Sequence, residues 1–294
     1  MTIFRPANLS DLTQTYAVFY ANEVKDIPEA PPPGDMPPDL RHVFETGTMY
    51  VAEEDGSILA FAAAITRDNI TFLTDLFVRP DQQSSQLGKN LLQYVLPQDE
   101  RIHCTMSSTD PRALALYIRA GMRPQWPNFC LRLDGPVKFD LPQPTDIEIV
   151  AGDHNDPEFV RWDAEISGRV RPIDHAFWIR EHRAVPLWFK RQGEIVGYGY
   201  VRLGAGTLWY PEACTLGPLG TRTAENATSC VLAAVNWACQ HANVIRIDVP
   251  GPHPCLAPLL SAGFRITYVE THVSSATTPF FDARRYIASG SNFF

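Results

Sequence analysis

The chain has 294 residues, about twice the ~150 expected of one domain, so two domains are the first expectation. Apolar residues make up 45% and charged residues 20%, with 25 Pro against 18 Gly, which excludes a disordered chain and points to stiff loops. The net charge of −8 with no Lys/Arg cluster argues against a nucleic-acid partner, and the longest apolar run, Ile58 to Ile65, falls far short of the ~20 residues that cross a bilayer. Met1 to Asp11 shows no basic start followed by an apolar core, so the expectation is a cytoplasmic protein without membrane association.

Along the chain, Ser10 is placed to cap a helix in which Leu12, Tyr16, Phe19 and Tyr20 share one face. The Pro-rich stretch from Asp26 to Pro38 reads as an exposed, stiff loop, and Asp39 as the cap of a short helix ending before Gly47. Alternating runs from Tyr50 to Ile65 around Asp55-Gly56 read as a hairpin. A strand from Phe72 to Val78 runs into a polar loop, and a helix opens at about Gln86 with Leu87, Leu91 and Val95 on one face. After a strand at Ile102, Asp110 and Pro111 start a helix that Gly121 ends.

The second half repeats this order. Asp156-Pro157 precedes Phe159, Val160 and Trp162; a hairpin turns at Gln192-Gly193; an apolar strand begins at Ala213; and a strand from Val244 leads to a helix ending at Gly263. Gly121 and Gly263 lie 142 residues apart, and Leu76 and Leu216 lie 140 apart, which argues for a duplicated unit of ~140 residues. The expected organisation is a first domain over residues 1–135, a linker over 136–146 and a second domain over 147–294. Alternating strands and helices make the fold class α/β, with a mixed sheet.

Six scattered cysteines without C-x-x-C, and no His at metal spacing, read as small buried hydrophobes rather than a metal site. His103 and Cys104, adjacent in a strand, point to opposite faces and cannot pair. In the second half, Trp162, Trp178, Trp188, Trp209 and Trp237 read as core or interdomain packing. The sequence lacks G-x-S-x-G, H-E-x-x-H and the dinucleotide fingerprint, and Gly88-Lys89-Asn90 fails as a P-loop because Gln83 and Asn90 stand where Gly and Ser/Thr are required.

The stretch from Leu76 to Leu92 carries the strongest chemical signal. A strand-to-loop-to-helix junction leaves helix N–H groups unpaired, directed at bound negative charge. Val78-Arg79-Pro80 followed by Gln83-Ser84-Ser85-Gln86-Leu87-Gly88, and later Asp110 through Ala113, Leu116, Tyr117, Gly121 and Met122, resemble two motifs of the GCN5-related N-acetyltransferase (GNAT) superfamily. These are its pyrophosphate loop, Q/R-x-x-G-x-G/A, and its N-x-x-A-x-x-L-Y-x-x-x-G-F helix. The resemblance covers about residues 2–133.

It implies two tandem GNAT-like acyl-CoA N-acyltransferase domains. Acetyl-CoA would be the co-substrate, a small-molecule or peptide amine the acceptor, and no metal would take part. In the family the sheet splays beside the loop strand and the pantetheine arm enters the gap. Phe77, Val78, Gln83, Ser84, Ser85, Gln86, Leu87, Gly88, Lys89 and Asp110 would then line the cofactor. Tyr117 would protonate the departing thiolate, and Asp75 would take a proton from the amine, with Thr74 and Thr71 as possible assistants. Read as residues alone, Tyr117 is also an ordinary half-buried helix tyrosine, and Asp75 equally a strand Asp bonding an Arg or capping a turn.

Two departures stand out. Gln86 replaces a family Gly, crowding the pyrophosphate or forcing a strained φ. Asp110 replaces an Asn and adds negative charge. In the second half Leu259 stands where the first has Tyr117, so the thiolate acid is missing. Gly217, Gly220 and Thr221 still offer amides, and Glu212, Asp248 and His253 are further pocket candidates. That half reads as the quiet copy. Residues 1–140 carry 12 Lys/Arg and 18 Asp/Glu, net −6, against 13 and 15, net −2, in the remainder, an asymmetry that suits a cationic acceptor. The leading expectation is an N-acetyltransferase, monomeric or homodimeric. The alternative is an inactive tandem that binds acyl-CoA or another small ligand as a regulatory module.

Overall fold

The computed structural model of the chain describes residues 1–83, 86–135 and 146–290. Ser84, Ser85 and the linker up to residue 145 lie outside the described residues. Two compact units emerge, Met1–Thr105 and Met106 onward.

The first unit contains β1 (Ile3–Pro6), α1 (Leu12–Glu23), α2 (Pro38–Thr46), β2 (Thr48–Glu54), β3 (Ser57–Arg67), β4 (Ile70–Val78), α3 (Leu87–Val95) and the start of β5 (Ile102–Ser107). The strands lie in the order β1-β2-β3-β4-β5, antiparallel except for the parallel β4–β5 pair. The apolar run Ile58 to Ile65 is β3, which is buried on both faces and so carries no alternation. Asp55 (φ 50°) and Gly56 (φ 79°) both take positive φ, the type I′ turn that matches strand twist.

Ser10 does not cap α1. A 3₁₀ turn precedes the helix, and the Asn8 N–H donates to Asp11 Oδ2 at 2.7 Å, while Arg5 holds the same carboxylate at 2.6 Å. Asp39 sits one position inside α2 rather than at its cap, because Pro38 opens the helix. Gly47 ends it where a Cβ would lie 2.4 Å from the Ala64 carbonyl. The Pro-rich loop is exposed, and tyrosines of α1 tie it down, with the Tyr20 hydroxyl donating to Pro31 O at 2.6 Å and that of Tyr16 to Pro33 O.

The second unit contains α4 (Pro111–Arg119), β6 (Arg123–Asp134), β7 (Glu148–Ala151), α5 (Glu158–Ser167), α6 (Pro172–Glu181), β8 (Ala184–Arg191), β9 (Glu194–Arg202), β10 (Cys214–Thr221), α7 (Ala224–Cys239), β11 (Val244–Pro250), α8 (Leu256–Ser261), β12 (Arg265–Ser274) and β13 (Tyr286–Ile287). Its strand order is β12-β6-β11-β10-β9-β8-β7, with β13 added to β10. Strand β6, which closes the first sequence repeat, takes β11 and β12 as its antiparallel partners. The repeat boundary near residue 135 is a sequence periodicity, while the contact boundary falls within β5. The core packs α7 onto Leu187, Phe189, Leu216, Leu219 and Ile247.

The duplication is visible in matched local geometry. Gln192 (φ 52°) and Gly193 (φ 83°) repeat the type I′ turn. Helices α4 and α8 end alike, with Gly121 at φ 92° and Gly263 at φ 96°, and with Met122 N–H on Tyr117 O and Phe264 N–H on Leu259 O, each at 3.1 Å. Trp162, Trp178 and Trp188 are buried as expected, but Trp209 is 37% exposed and is not core. All six cysteines are free, and five are buried. Among the described residues no helix is long and apolar enough to cross a membrane.

Candidate functional site

In the first unit β4 and β5 pair only through Ile70, Thr71 and Phe72 with Ile102, His103 and Cys104. Beyond Phe72 the two strands part. A bulge at Thr74 follows at once, since Ala63 faces Asp75 and Ala64 faces Leu73 on the β3 side. The β3 edge of β4 stays paired to Val78, so Thr74–Val78 turn their other edge to the gap.

Side chains alternate to opposite faces past the bulge. Phe77 packs edge-on against Phe19 of α1 at 5.2 Å. Leu76 and Val78 face α3, each within 4 Å of where a Cβ on Gly88 would stand. Asp75, two residues from Phe77, therefore projects on the α1 side, away from the helix that opens the loop. Its Oδ2 lies 2.7 Å from the Thr74 hydroxyl, which lies 3.0 Å from Ala63 O. Burial pushes the Asp75 carboxyl up to about 6, the Thr74 hydrogen bond opposes this, and the charge of Asp39 adds to it. Thr71 is buried and shares a hydrogen bond with Thr66 at 2.9 Å.

Gln86 caps α3 at φ 67°, ψ 1°, the left-handed conformation that its place in the family motif leads one to expect. The first intrahelical bond runs from Asn90 N–H to Gln86 O at 3.0 Å, so the N–H groups of Leu87, Gly88 and Lys89 point out of the helix start. Leu87 is buried beneath the helix, whereas Lys89 and Gln86 are exposed. Gln83 turns towards α1, donating from Nε2 to Asn22 Oδ1 at 3.1 Å, and Asn22 also donates to Val78 O at 3.0 Å. Asn22 thus ties the end of β4 and the loop to α1. The sequence carried no signal for it, because nothing marks a helix Asn as reaching outside its own helix. Ser84 and Ser85, named for the same loop, lie outside the described residues.

Tyr117 and Asp110 belong to the second unit. Tyr117 is buried on α4. Asp110 caps that helix, accepting from Arg112 N at 2.8 Å, and its charge pairs with the Arg112 guanidinium at 2.6 Å.

The second unit has its own parting of strands. β10 pairs with β11 only at Cys214–Leu216, against Ile245–Ile247. A bulge at Gly217-Pro218 follows. Matching the last parallel pair sets Phe72 against Leu216, four residues away from the Leu76–Leu216 match read from the sequence. By that register Leu219 stands where the first unit has Asp75. Here the gap is filled, because Leu219 and Gly220 pair antiparallel with Ile287 and Tyr286 of β13. Of the pocket candidates in this half, Glu212 is exposed, whereas Asp248 and His253 are buried. Among the described residues no group of three or more His, Cys, Asp or Glu comes together to hold a metal.

Comparison with known proteins fits this geometry. Residues 45–123 match the family model of the acetyltransferase (GNAT) domain. No curated protein matches the sequence. A Pyrococcus horikoshii protein assigned as an acetyltransferase superposes with a TM-score of 0.73 at 14% identity, covering 100% of this chain and 96% of that one. A GCN5-related N-acetyltransferase from Sphaerobacter thermophilus gives 0.65 at 14% identity, covering 96% of each chain. A tandem GNAT protein from the clavulanic acid biosynthesis pathway gives 0.65 at 15%, covering 95% of this chain and 100% of that one. Residues 45–123 thus resemble a GNAT acetyltransferase domain, and the whole chain shares the mixed α/β fold of those neighbours, a tandem GNAT protein among them.

Proposed function

We propose that the protein transfers an acyl group, acetyl in the simplest case, from coenzyme A to an amine, and that the first unit holds the acyl-CoA. One observation carries this reading. The open edge of β4 beyond Phe72 lies beside a carboxylate whose pKa of about 6 suits proton removal near neutrality. Pantetheine has two amide groups, which can pair with a strand edge as a peptide does. The outward N–H groups of Leu87, Gly88 and Lys89 offer donors to its pyrophosphate.

In this scheme the ammonium form of the acceptor gives a proton to Asp75. The amine nitrogen then attacks the thioester carbonyl, the C–N bond forms, and the C–S bond breaks as the nitrogen gives its second proton to water, from which the proton lent to the thiolate is restored. The thiolate takes a proton, for which Tyr117 is the donor the family motif implies. Both carboxylates, Asp75 and Asp39, favour a cationic acceptor.

The test follows thiol release from acetyl-CoA over a panel of amines, together with coenzyme A binding, for the wild type and for Asp75→Asn and Tyr117→Phe. General acid–base residues are worth about 10²–10⁴-fold, so each variant is expected to lose at least ~100-fold in kcat with coenzyme A affinity kept within ~3-fold. A wild type that binds coenzyme A but turns over no amine would instead favour a binding module.

A further inference from the structure

We infer that the cleft of the second unit is sealed by the chain's own C-terminal strand, so that the protein holds one acyl-CoA site, and that Tyr286 is the lock. The count of one rests on the proposed function; the seal does not.

The seal begins with register. Leu219 and Gly220 have β9 on one edge, at Gly199 and Tyr198, so β13 takes the opposite edge, which β11 vacated after Leu216. The Thr221 N–H donates to Arg285 O at 3.0 Å and extends the ladder. The segment then crosses to β11, where a Cβ on Gly290 would lie 3.4 Å from Asp248 Oδ2. It thus spans the wedge from one wall to the other. Tyr286, Ile287, Ala288 and Ser289 are all buried. Gly217 is the cost of this fit, since its φ is 120° and any Cβ would stand 2.3 Å from Ala288 O.

Side chains fasten the segment in place. The Tyr286 hydroxyl accepts from Arg171 Nη2 at 2.5 Å and lies 3.4 Å from Arg169 Nη2. Arg171 is itself clamped by both oxygens of Asp163, at 2.6 and 2.8 Å. Arg202 reaches over the bulge to Gly217 O at 2.8 Å and donates to Ser289 O. An extended peptide offers a strand edge the same amide donors and acceptors as pantetheine, so the two compete for one place.

Hydrogen exchange on the full-length protein, free and with coenzyme A, tests this. In the free protein, peptides covering Leu219–Thr221 should exchange about a hundredfold more slowly than those covering Thr74–Val78, as paired and unpaired edges do. Coenzyme A should slow Thr74–Val78 and leave Leu219–Thr221 unchanged. Similar rates at both places, or slowing at Leu219–Thr221 on adding coenzyme A, would overturn the seal. Protection at neither place would count against the proposed function, while the contrast in the free protein would still decide the seal. Tyr286→Phe keeps the ring but loses the bonds to the arginines. It should speed exchange at Leu219–Thr221 about tenfold without touching Thr74–Val78, and an unchanged rate would refute the lock.

Discussion

The two units use one backbone device for opposite ends. In each, two parallel strands pair for three residues, part, and leave a bulge just past the last pair. What occupies the gap differs. Among the described residues of the first unit no strand covers the edge of β4 beyond Phe72, and Asp75 stands beside it. The second places Leu219 at the matching position and lays β13 along the edge. The parting of strands is therefore a property of the topology, and function depends on what the side chains and the chain terminus do with it.

The sharpest way to break the comparison is to unpick the closed cleft from below. Burial alone would raise the Asp163 carboxyl, but Arg171, with help from His175, overcomes this and holds it far below the ordinary carboxylate range. Its Oδ1 also accepts from the Tyr198 hydroxyl at 2.5 Å. Asp163→Ala leaves the Arg171 charge buried without its partner, at an expected cost of about 3–5 kcal/mol in urea unfolding. The folded-state pKa is depressed, so the wild-type contribution is present above pH ~4 and is lost as pH falls below that. The gap between wild type and variant should therefore narrow in acid, and a gap independent of pH would remove the carboxylate from the explanation.

The open cleft gives the opposite sign. Asp75 has a folded-state pKa raised to about 6 from 3.8, so the neutral acid is the form the fold favours. Its stabilising contribution is fully present below pH ~4 and is lost as pH rises through 6, leaving a deficit of about 2–3 kcal/mol at pH 7.5. Asp75→Asn should recover that deficit at pH 7.5, recover little at pH 4, and lower turnover by at least ~100-fold. Equal stability of the two proteins at pH 7.5 would show that the carboxylate is not desolvated, and would weaken its assignment as the base.

Much of this was legible in the sequence, for local reasons. Asp55-Gly56 and Gln192-Gly193 announced hairpin turns, and Gly121 and Gly263 announced matched helix ends, because positive φ narrows the choice of residue. Asp110-Pro111 gave a helix start for the same kind of reason. Ser10 misled, because the cap was built from Asn8, Asp11 and Arg5, a contact between separate elements. The open cleft was expected from Val78-Arg79-Pro80 and the loop after it. The closed cleft was not legible at all. Two residues of strand, Tyr286 and Ile287, are too short to show a period, and their partner lies more than sixty residues earlier.

The smallest expected effect sharpens the comparison at the loop itself. Gln86 holds φ 67° at the start of α3, whereas Thr223, at the start of α7, has an ordinary extended φ of −134°. A non-glycine residue in the left-handed region costs about 1 kcal/mol, and Gly removes most of that strain while freeing the unfolded chain, which returns part of the gain. Gln86→Gly should therefore change stability by less than ~1 kcal/mol. Its larger consequence lies in binding, because removing an exposed side chain beside the N–H groups of Leu87 and Gly88 lets a pyrophosphate approach the backbone. Calorimetry with coenzyme A should show affinity rising severalfold in Gln86→Gly. An unchanged affinity would mean that the phosphates do not approach this turn, and that the loop of the first unit binds its ligand in some way other than the family motif implies.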